Sequence, residues 1–204
     1  MPLLSNDVFV DGLDRPYEAE ATYYLNFQIL SALFSINQLF KKCDETTWEN
    51  RCQYYHYYSD HLLYSIGQIA NRFVVSRKDK GLKLERKQLN RNNYRFYDAQ
   101  FPILSDKRAR NMIEHIDEYN QKIIQEKHGV GGFNLIDNQT DLELITTLRT
   151  KRESHPYTLD LLEKMLLIKW KEDYLDISID GLEAELISLQ KCVKSFYGYL
   201  SEPF

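Results

Sequence analysis

Apolar residues recur at helical spacing along the first half of the chain. In the stretch from about Tyr17 to Lys42, positions three and four residues apart are aromatic or aliphatic, namely Tyr23, Phe27, Leu30 and Phe34. The stretch from about Trp48 to Arg77 has a similar stripe, formed by Cys52, Tyr55, Leu62, Ile66, Ile69 and Phe73. The short break between the two stretches predicts an antiparallel helical hairpin, with Thr47 as the N-cap of the second helix.

Two further helices are predicted in the second half. One runs from Ser105 to Lys127 and ends before Gly129. The other runs from about Ile179 to Leu200, with Ser178 or Asp180 as its cap. Its apolar positions share one face and are Leu182, Leu186, Leu189, Val193 and Phe196.

The remaining segments have weaker patterns. Residues 78–104 are interpreted as a basic connector with a short helix near Leu84 to Asn92. Residues 133–177 are predicted to form a small β elaboration, although the part from Leu159 to Trp170 fits a helix equally well. Its candidate strands are Leu142 to Leu148, Tyr157 to Leu161, Met165 to Trp170 and Tyr174 to Ile177.

The sequence therefore predicts one mainly α domain spanning residues 1–204. Its expected architecture is an up-down bundle of four or five helices with a small β elaboration. The chain has 204 residues, of which 43% are hydrophobic, enough to bury one core.

Composition also bears on location and cofactors. The N-terminal residues lack the apolar segment of a signal peptide, and no apolar run approaches the roughly 20 residues that span a bilayer. The three cysteines, Cys43, Cys52 and Cys192, have no metal-binding spacing and are odd in number. We therefore expect a cytoplasmic protein that has no cofactor, no bound metal and no membrane contact.

Charge is distributed unevenly. The net charge of the chain is −4, but the segment from Arg72 to Arg110 holds 12 Lys and Arg against 4 Asp and Glu, a local charge of +8. Cations interleaved with aromatic rings suit single-stranded nucleic acid. The candidate RNA-binding residues are Lys83, Arg86, Lys87, Arg91 and Arg95. An equally weighted alternative is a solvated linker whose aromatic residues anchor it to the core.

The most informative motif lies in the Ser105–Lys127 helix. Arg110 is followed by Asn111 and, after three further residues, by His115. An arginine that binds a phosphodiester and a histidine that moves a proton suit phosphoryl chemistry. The arginine-to-histidine spacing also occurs at Arg51 to His56 and Arg149 to His155. Only Arg110 combines a polar residue next to it with a late position in the predicted helical core.

This Arg-Asn-x-x-Glu-His-x-Asp-Glu helix resembles the signature helix of HEPN-superfamily domains. The resemblance covers this helix specifically and the helical arrangement only loosely. It implies an all-helical, dimeric, metal-independent ribonuclease, with paired motifs lining a cleft at the dimer interface. It also implies a toxin or defence role, with a small nucleotidyltransferase-like antitoxin as the neutralising partner.

The sequence thus favours an endoribonuclease that cleaves RNA by 2′-hydroxyl attack at phosphorus, with Arg110, Asn111 and His115 as catalytic residues. The alternative is a non-catalytic HEPN-like helical scaffold that forms a homodimer and binds a protein or nucleic acid. For the arginine and histidine, the structural alternative is an Arg110–Glu114 ion pair and a His115 that is a boundary residue with one satisfied nitrogen. A metal site at His56 and Asp60 is a weaker possibility, because no metal-binding pattern supports it.

Overall fold

The computed structural model describes residues 15–41, 43, 47–106, 108, 133–150, 157–170 and 173–201. Five helices lie within these ranges: α1 (Arg15–Phe40), α2 (Trp48–Phe73), α3 (Leu82–Asn93), α4 (Leu142–Thr150) and α5 (Ile179–Ser201). Four strands accompany them: β1 (Phe133–Ile136), β2 (Tyr157–Asp160), β3 (Met165–Trp170) and β4 (Asp173–Ser178). The prediction of a mainly α protein with a small β elaboration is confirmed.

Helix α1 packs between α2 and α5. The hydroxyl of Tyr54, near the start of α2, donates to the backbone oxygen of Gln38, near the end of α1, at 3.1 Å. The side chains of Ser35, earlier in α1, and His61, later in α2, lie 3.3 Å apart. Since the order of these contacts runs in opposite directions along α1 and α2, the two helices are antiparallel, as predicted.

The buried face of α1 differs from the predicted one. Tyr23, Phe27, Leu30 and Phe34 are 65%, 53%, 47% and 55% exposed. The core is instead filled by a neighbouring stripe, which consists of Leu25, Ile29, Ala32, Ile36 and Leu39. Both stripes repeat every three or four residues, and no charged residue between Ala21 and Phe40 marks a solvent face. The pattern therefore predicted the helix correctly and its orientation wrongly.

Helices α2 and α5 bury the faces that the sequence predicts. On α2, Leu62, Ile66, Ile69 and Phe73 are at most 3% exposed. On α5, the same is true of Leu182, Leu186, Leu189 and Val193. The predicted caps are present: Thr47 Oγ1 accepts a hydrogen bond from the N–H of Asn50, and Ser178 Oγ accepts one from Gly181.

The sheet has the strand order β1-β2-β3-β4, in which β1 and β2 are parallel and the other neighbours antiparallel. One buried row crosses all four strands at Leu135, Leu159, Leu166 and Ile177. This row belongs to the same core cluster as the stripes of α1, α2 and α5. Strands β2, β3 and β4 confirm the predicted strands, whereas β1 was not predicted.

The prediction of a strand from Leu142 to Leu148 is wrong, because this segment forms α4. Asp141 accepts a hydrogen bond from the N–H of Glu143 at its start. The hydroxyls of Thr146, Thr147 and Thr150 each donate to a carbonyl four residues earlier, the pattern by which Thr side chains are accommodated inside a helix. Ile145 and Leu148 then pack on Ile136 of β1 in a second, small cluster.

The adjacent residues Ile29 and Leu30 test the orientation of α1. Ile29 is fully buried and Leu30 is 47% exposed. We expect Ile29→Ala to lower the free energy of unfolding by about 2–4 kcal/mol through cavity formation. Leu30→Ala is expected to cost less than about 1 kcal/mol. Urea denaturation of both variants measures the difference, and the opposite ranking would restore the predicted face.

Candidate nucleic-acid interface

The connector between α2 and the Arg110 motif carries the predicted interface. The catalytic candidates Arg110, Asn111 and His115 lie outside the described residues. The described chain reaches Arg108, whose guanidinium pairs with Asp106 at 2.7 Å and donates to the carbonyl of Tyr174 in β4 at 3.1 Å. The residues just before the motif are therefore attached to the sheet.

Glu185 of α5 fixes the same segment from the other side. Its Oε1 accepts a hydrogen bond from the N–H of Ile103 and its Oε2 accepts one from the N–H of Leu104, both at 2.9 Å. The residue is 8% exposed. Burial raises the pKa of this carboxyl, and the two N–H groups oppose that shift by favouring the anion.

Helix α3 confirms the short helix predicted within the connector. It follows Gly81, whose φ of +53° lies in the region that favours glycine. This left-handed residue turns the chain between the end of α2 and the basic helix. As a result, α3 contacts α2 on one side, and its cations Lys83 and Arg86 are exposed to solvent.

Asp79 is enclosed by two lysines of α3. Its Oδ2 contacts Lys87 Nζ and its Oδ1 contacts Lys83 Nζ, each at 2.8 Å. The side chain of Asp79 is fully buried, and that of Lys87 is 5% exposed. Hydrogen bonds from Lys83, Lys87 and the N–H of Ser76 hold the pKa of Asp79 far below its ordinary value.

The five RNA-binding candidates therefore divide into two groups. Lys87 is buried, and it also donates to the carbonyl of Val74 at 2.7 Å, so it anchors α3 to the end of α2. Arg91 pairs with Asp98 at 2.9 Å and its guanidinium carbon lies 5.7 Å from the ring centre of Phe96. Lys83, Arg86 and Arg95 are exposed.

Other exposed cations adjoin these three. Arg77, Lys78 and Lys80 lie in the turn that precedes α3. We call these six exposed residues of the connector the α3 cationic surface, namely Arg77, Lys78, Lys80, Lys83, Arg86 and Arg95. Because Asp79 is buried, its charge is held by Lys83 and Lys87 and is not presented at this surface.

Most aromatic residues of the connector belong to the core. Phe73, Phe96 and Phe101 are fully buried, and their rings stack in series, with centroid distances of 4.2 and 4.7 Å. Tyr94 is 2% exposed and bonds the hydroxyl of Thr22 at 2.8 Å. Tyr97, at 55% exposed, is the ring of this group that is available for stacking on a base. The alternative of aromatic residues as anchors thus describes four of the five rings.

In the other two arginine-to-histidine matches, the described side chains have separate partners. Arg51 is buried against Asp137, whereas His56 stacks on Phe133 at 4.9 Å. Arg149 pairs with Asp160 at 2.6 Å, and His155 lies outside the described residues. The His56 and Asp60 side chains approach to 3.3 Å, but no cluster of three metal-binding residues occurs in the described part of the chain.

Sequence reasoning missed the two carboxylates that organise this connector. Asp79 had a detectable signal, since it is a lone acid between Lys78 and Lys80 in a basic run. Glu185 directly precedes Leu186 at the border of the apolar stripe of α5, but its backbone partners are about 80 residues away in sequence. No local pattern reveals such a contact.

No family model, curated protein or solved structure matches this chain. The described helices also include none with the length and apolar character required to cross a membrane.

The Asp79 network predicts a pH-dependent stability. Asp79 has a depressed pKa in the folded state, so its contribution is complete above the unfolded pKa of about 3.9 and is lost as pH falls below it. We expect Asp79→Asn to lower the thermal midpoint by several degrees at neutral pH, because the Lys87 charge stays buried without its partner. The deficit relative to wild type should shrink below about pH 4.

Glu85→Gln is the matched control, because Glu85 is exposed on the same helix. Thermal unfolding followed by circular dichroism at several pH values makes the comparison. An Asp79→Asn deficit that is constant with pH would contradict the assignment.

Proposed function

We propose that the chain is a metal-independent endoribonuclease of HEPN type, which acts in a toxin or defence system. The observation that supports this most is the α3 cationic surface, which lies in the connector leading to the Arg110–His115 motif. Electropositive side chains next to a phosphoryl-transfer motif provide the attraction that an RNA backbone needs. The chain from this surface to the motif is held at Asp79 and at Glu185.

In the proposed mechanism, the RNA 2′-hydroxyl attacks the adjacent phosphorus and the 5′-oxygen of the next nucleotide leaves. His115 takes the proton from the 2′-hydroxyl or gives one to the leaving oxygen. Arg110 stabilises the additional negative charge on the phosphoryl oxygens, for which a bidentate guanidinium is suited. Asn111 bonds the phosphate or orients His115. RNA is required because DNA has no 2′-hydroxyl.

The binding step is assigned to the exposed part of the connector. Lys83, Arg86 and Arg95 contact phosphates, and Tyr97 stacks on a base. Lys87 and Arg91 were also predicted to bind RNA. Lys87 instead bonds the carbonyl of Val74 at the end of α2, and Arg91 pairs with Asp98 after the end of α3.

A second candidate is the non-catalytic scaffold that forms a homodimer. The exposed stripe of α1 favours it: Tyr23, Phe27, Leu30 and Phe34 form an uncharged apolar surface that continues onto α2 through the Phe34–Tyr58 contact at 6.2 Å. Large contiguous apolar surfaces usually mark interfaces. With the exposed Tyr57 and Tyr64 of α2, the stripe offers roughly 700 Å², near the 800 Å² per partner of a standard interface.

Dimerisation is compatible with either function. In the enzyme, a two-fold axis brings two copies of the motif together, as the family resemblance implies. The same proposal includes an up-down arrangement of the bundle, a nucleotidyltransferase-like antitoxin as partner and a cytoplasmic location. These features follow from the resemblance and the sequence, whereas the dimer also has the α1 stripe in its favour.

The catalytic assignment is tested by RNA cleavage. We expect Arg110→Ala and His115→Ala each to lower cleavage by at least about a hundredfold. Cleavage should survive EDTA, and 2′-O-methylation at the scissile nucleotide should block it. Gel analysis of structured and unstructured RNAs measures both. Chelator-sensitive cleavage, or full activity of His115→Ala, would rule out this mechanism.

A charge-reversal pair separates binding from chemistry in the same assay. Lys80→Glu with Arg86→Glu should weaken RNA binding and flatten its dependence on salt. The control is Lys191→Glu with Lys194→Glu on the exposed side of α5, which should change neither. Binding without cleavage of any RNA by the wild type would favour the scaffold.

The α1 stripe predicts the oligomeric state. Light scattering should report about twice the 24.3 kDa chain mass at micromolar concentration. Leu30→Glu should shift the protein to a monomer, because it places a charge in an apolar interface. Leu142→Glu is the control, since Leu142 is 76% exposed and lies on α4, a helix that does not carry the stripe. A wild-type monomer at high concentration would contradict dimerisation.

A further inference from the structure

A cavity of about 350 Å³ opens between the helices and the sheet, separate from the α3 cationic surface. It lies where α1 ends, α2 begins, the chain leaves β1 and the β2–β3 turn passes. Its volume is within the range of sites that hold small molecules. Leu39, Phe40, Leu161 and Leu162 supply its apolar walls.

Arg51 is the buried cation of this cavity. Its side chain is 9% exposed, and its Nε lies 3.3 Å from Asp137 Oδ2. That contact is an ion pair without a hydrogen bond, so the buried Nε has no hydrogen-bond acceptor among the residues that the structure describes. Trp48 lies beside the guanidinium at 5.5 Å. A buried arginine with an unused donor is costly unless another acceptor completes its coordination.

Asp137 holds Arg51 in position but has little capacity left for another donor. Its Oδ1 accepts from the N–H of Gln139 at 2.9 Å and from the hydroxyl of Thr140 at 3.1 Å. The backbone N–H of Asp137 in turn donates to Thr140 Oγ1 at 2.9 Å. The carboxylate is thereby locked in its own turn, and the arginine is oriented by a rigid partner.

The charges around the cavity select the class of ligand. Its described lining includes the cations Lys41 and Arg51 and the carboxylate of Asp137, which leaves one net positive charge. Burial raises the pKa of Tyr55, which also lines the cavity, so its hydroxyl stays protonated as a possible donor. One positive charge matches a monoanion, and the leucine walls match an apolar body.

We propose that this cavity binds a small monocarboxylate with a compact apolar body, whose carboxylate pairs with Arg51. The Arg51 guanidinium binds the carboxylate oxygens and Asp137 fixes its orientation. Leu161 and Leu162 contact the apolar body from the β2–β3 turn. The ligand therefore connects the start of α2 to the sheet.

Calorimetric titration tests the proposal with benzoate, hexanoate and phenylacetate as probes. We expect saturable binding with a dissociation constant near or below about 1 mM, a value typical of fragment-sized ligands. Benzamide, which has no charge, and inorganic phosphate, which lacks the apolar body, should bind at least about tenfold more weakly. Tighter binding of phosphate than of every carboxylate would overturn the assignment.

Two variants locate the site. Arg51→Met should weaken benzoate binding at least about tenfold, the loss expected for a charge-assisted hydrogen bond. Leu162→Trp should do the same by filling the cavity, and because Leu162 is 49% exposed the fold should tolerate the change. Arg86→Met is the matched control, since Arg86 is exposed on α3 and lies outside the cavity lining.

Circular dichroism confirms that each variant is folded before titration. Weakened binding in Leu162→Trp together with unchanged binding in Arg86→Met supports the site even if Arg51→Met unfolds. Absence of saturable binding of all three carboxylates at about 10 mM, or equal binding by wild type and Leu162→Trp, would overturn the proposal.

Discussion

The position of the connector depends on one constraint: its buried charges and buried backbone N–H groups need polar partners. Outside α3, the segment from the end of α2 to Asp106 forms neither a helix nor a strand. Its buried polar groups therefore need partners from other parts of the chain. Glu185 supplies acceptors for Ile103 and Leu104, and Asp79 supplies the counter-charge for Lys87. These two carboxylates leave the outward cations of α3 exposed to solvent.

The same constraint explains why some basic residues of the connector support α3 from within the fold, whereas others are exposed to solvent. Lys87 is buried against Asp79 and Arg91 is half-buried beside Asp98, whereas Arg86 is exposed. The stacked rings of Phe73, Phe96 and Phe101 likewise serve the core. Among the described residues of this basic segment, only part of the cations are therefore exposed, together with the ring of Tyr97.

The fold was predictable where one helix face is apolar and the other is charged. The buried stripes of α2 and α5 and the β3–β4 hairpin have that contrast. Helix α1 does not, since two apolar stripes run side by side and either could face the core. The aromatic stripe is the exposed one, and this distinction depends on tertiary packing. At the candidate interface, the predicted RNA-binding residues Lys83, Arg86 and Arg95 are exposed, as that role requires. The burial of Lys87 was not predictable, because it depends on Asp79 and on the turn after α2.

The proposed ribonuclease function requires RNA to lie along the exposed side of the connector and to reach the Arg110–His115 motif. Photocrosslinking of a 4-thiouridine-substituted RNA, with the adducts mapped by mass spectrometry, tests that claim most directly. The account predicts crosslinks at Tyr97 and in the peptides that carry Lys80 to Arg86 and Arg110 to His115. Crosslinks confined to α1 or α5 would contradict it, because they would place the RNA on a surface that has neither the cations nor the motif.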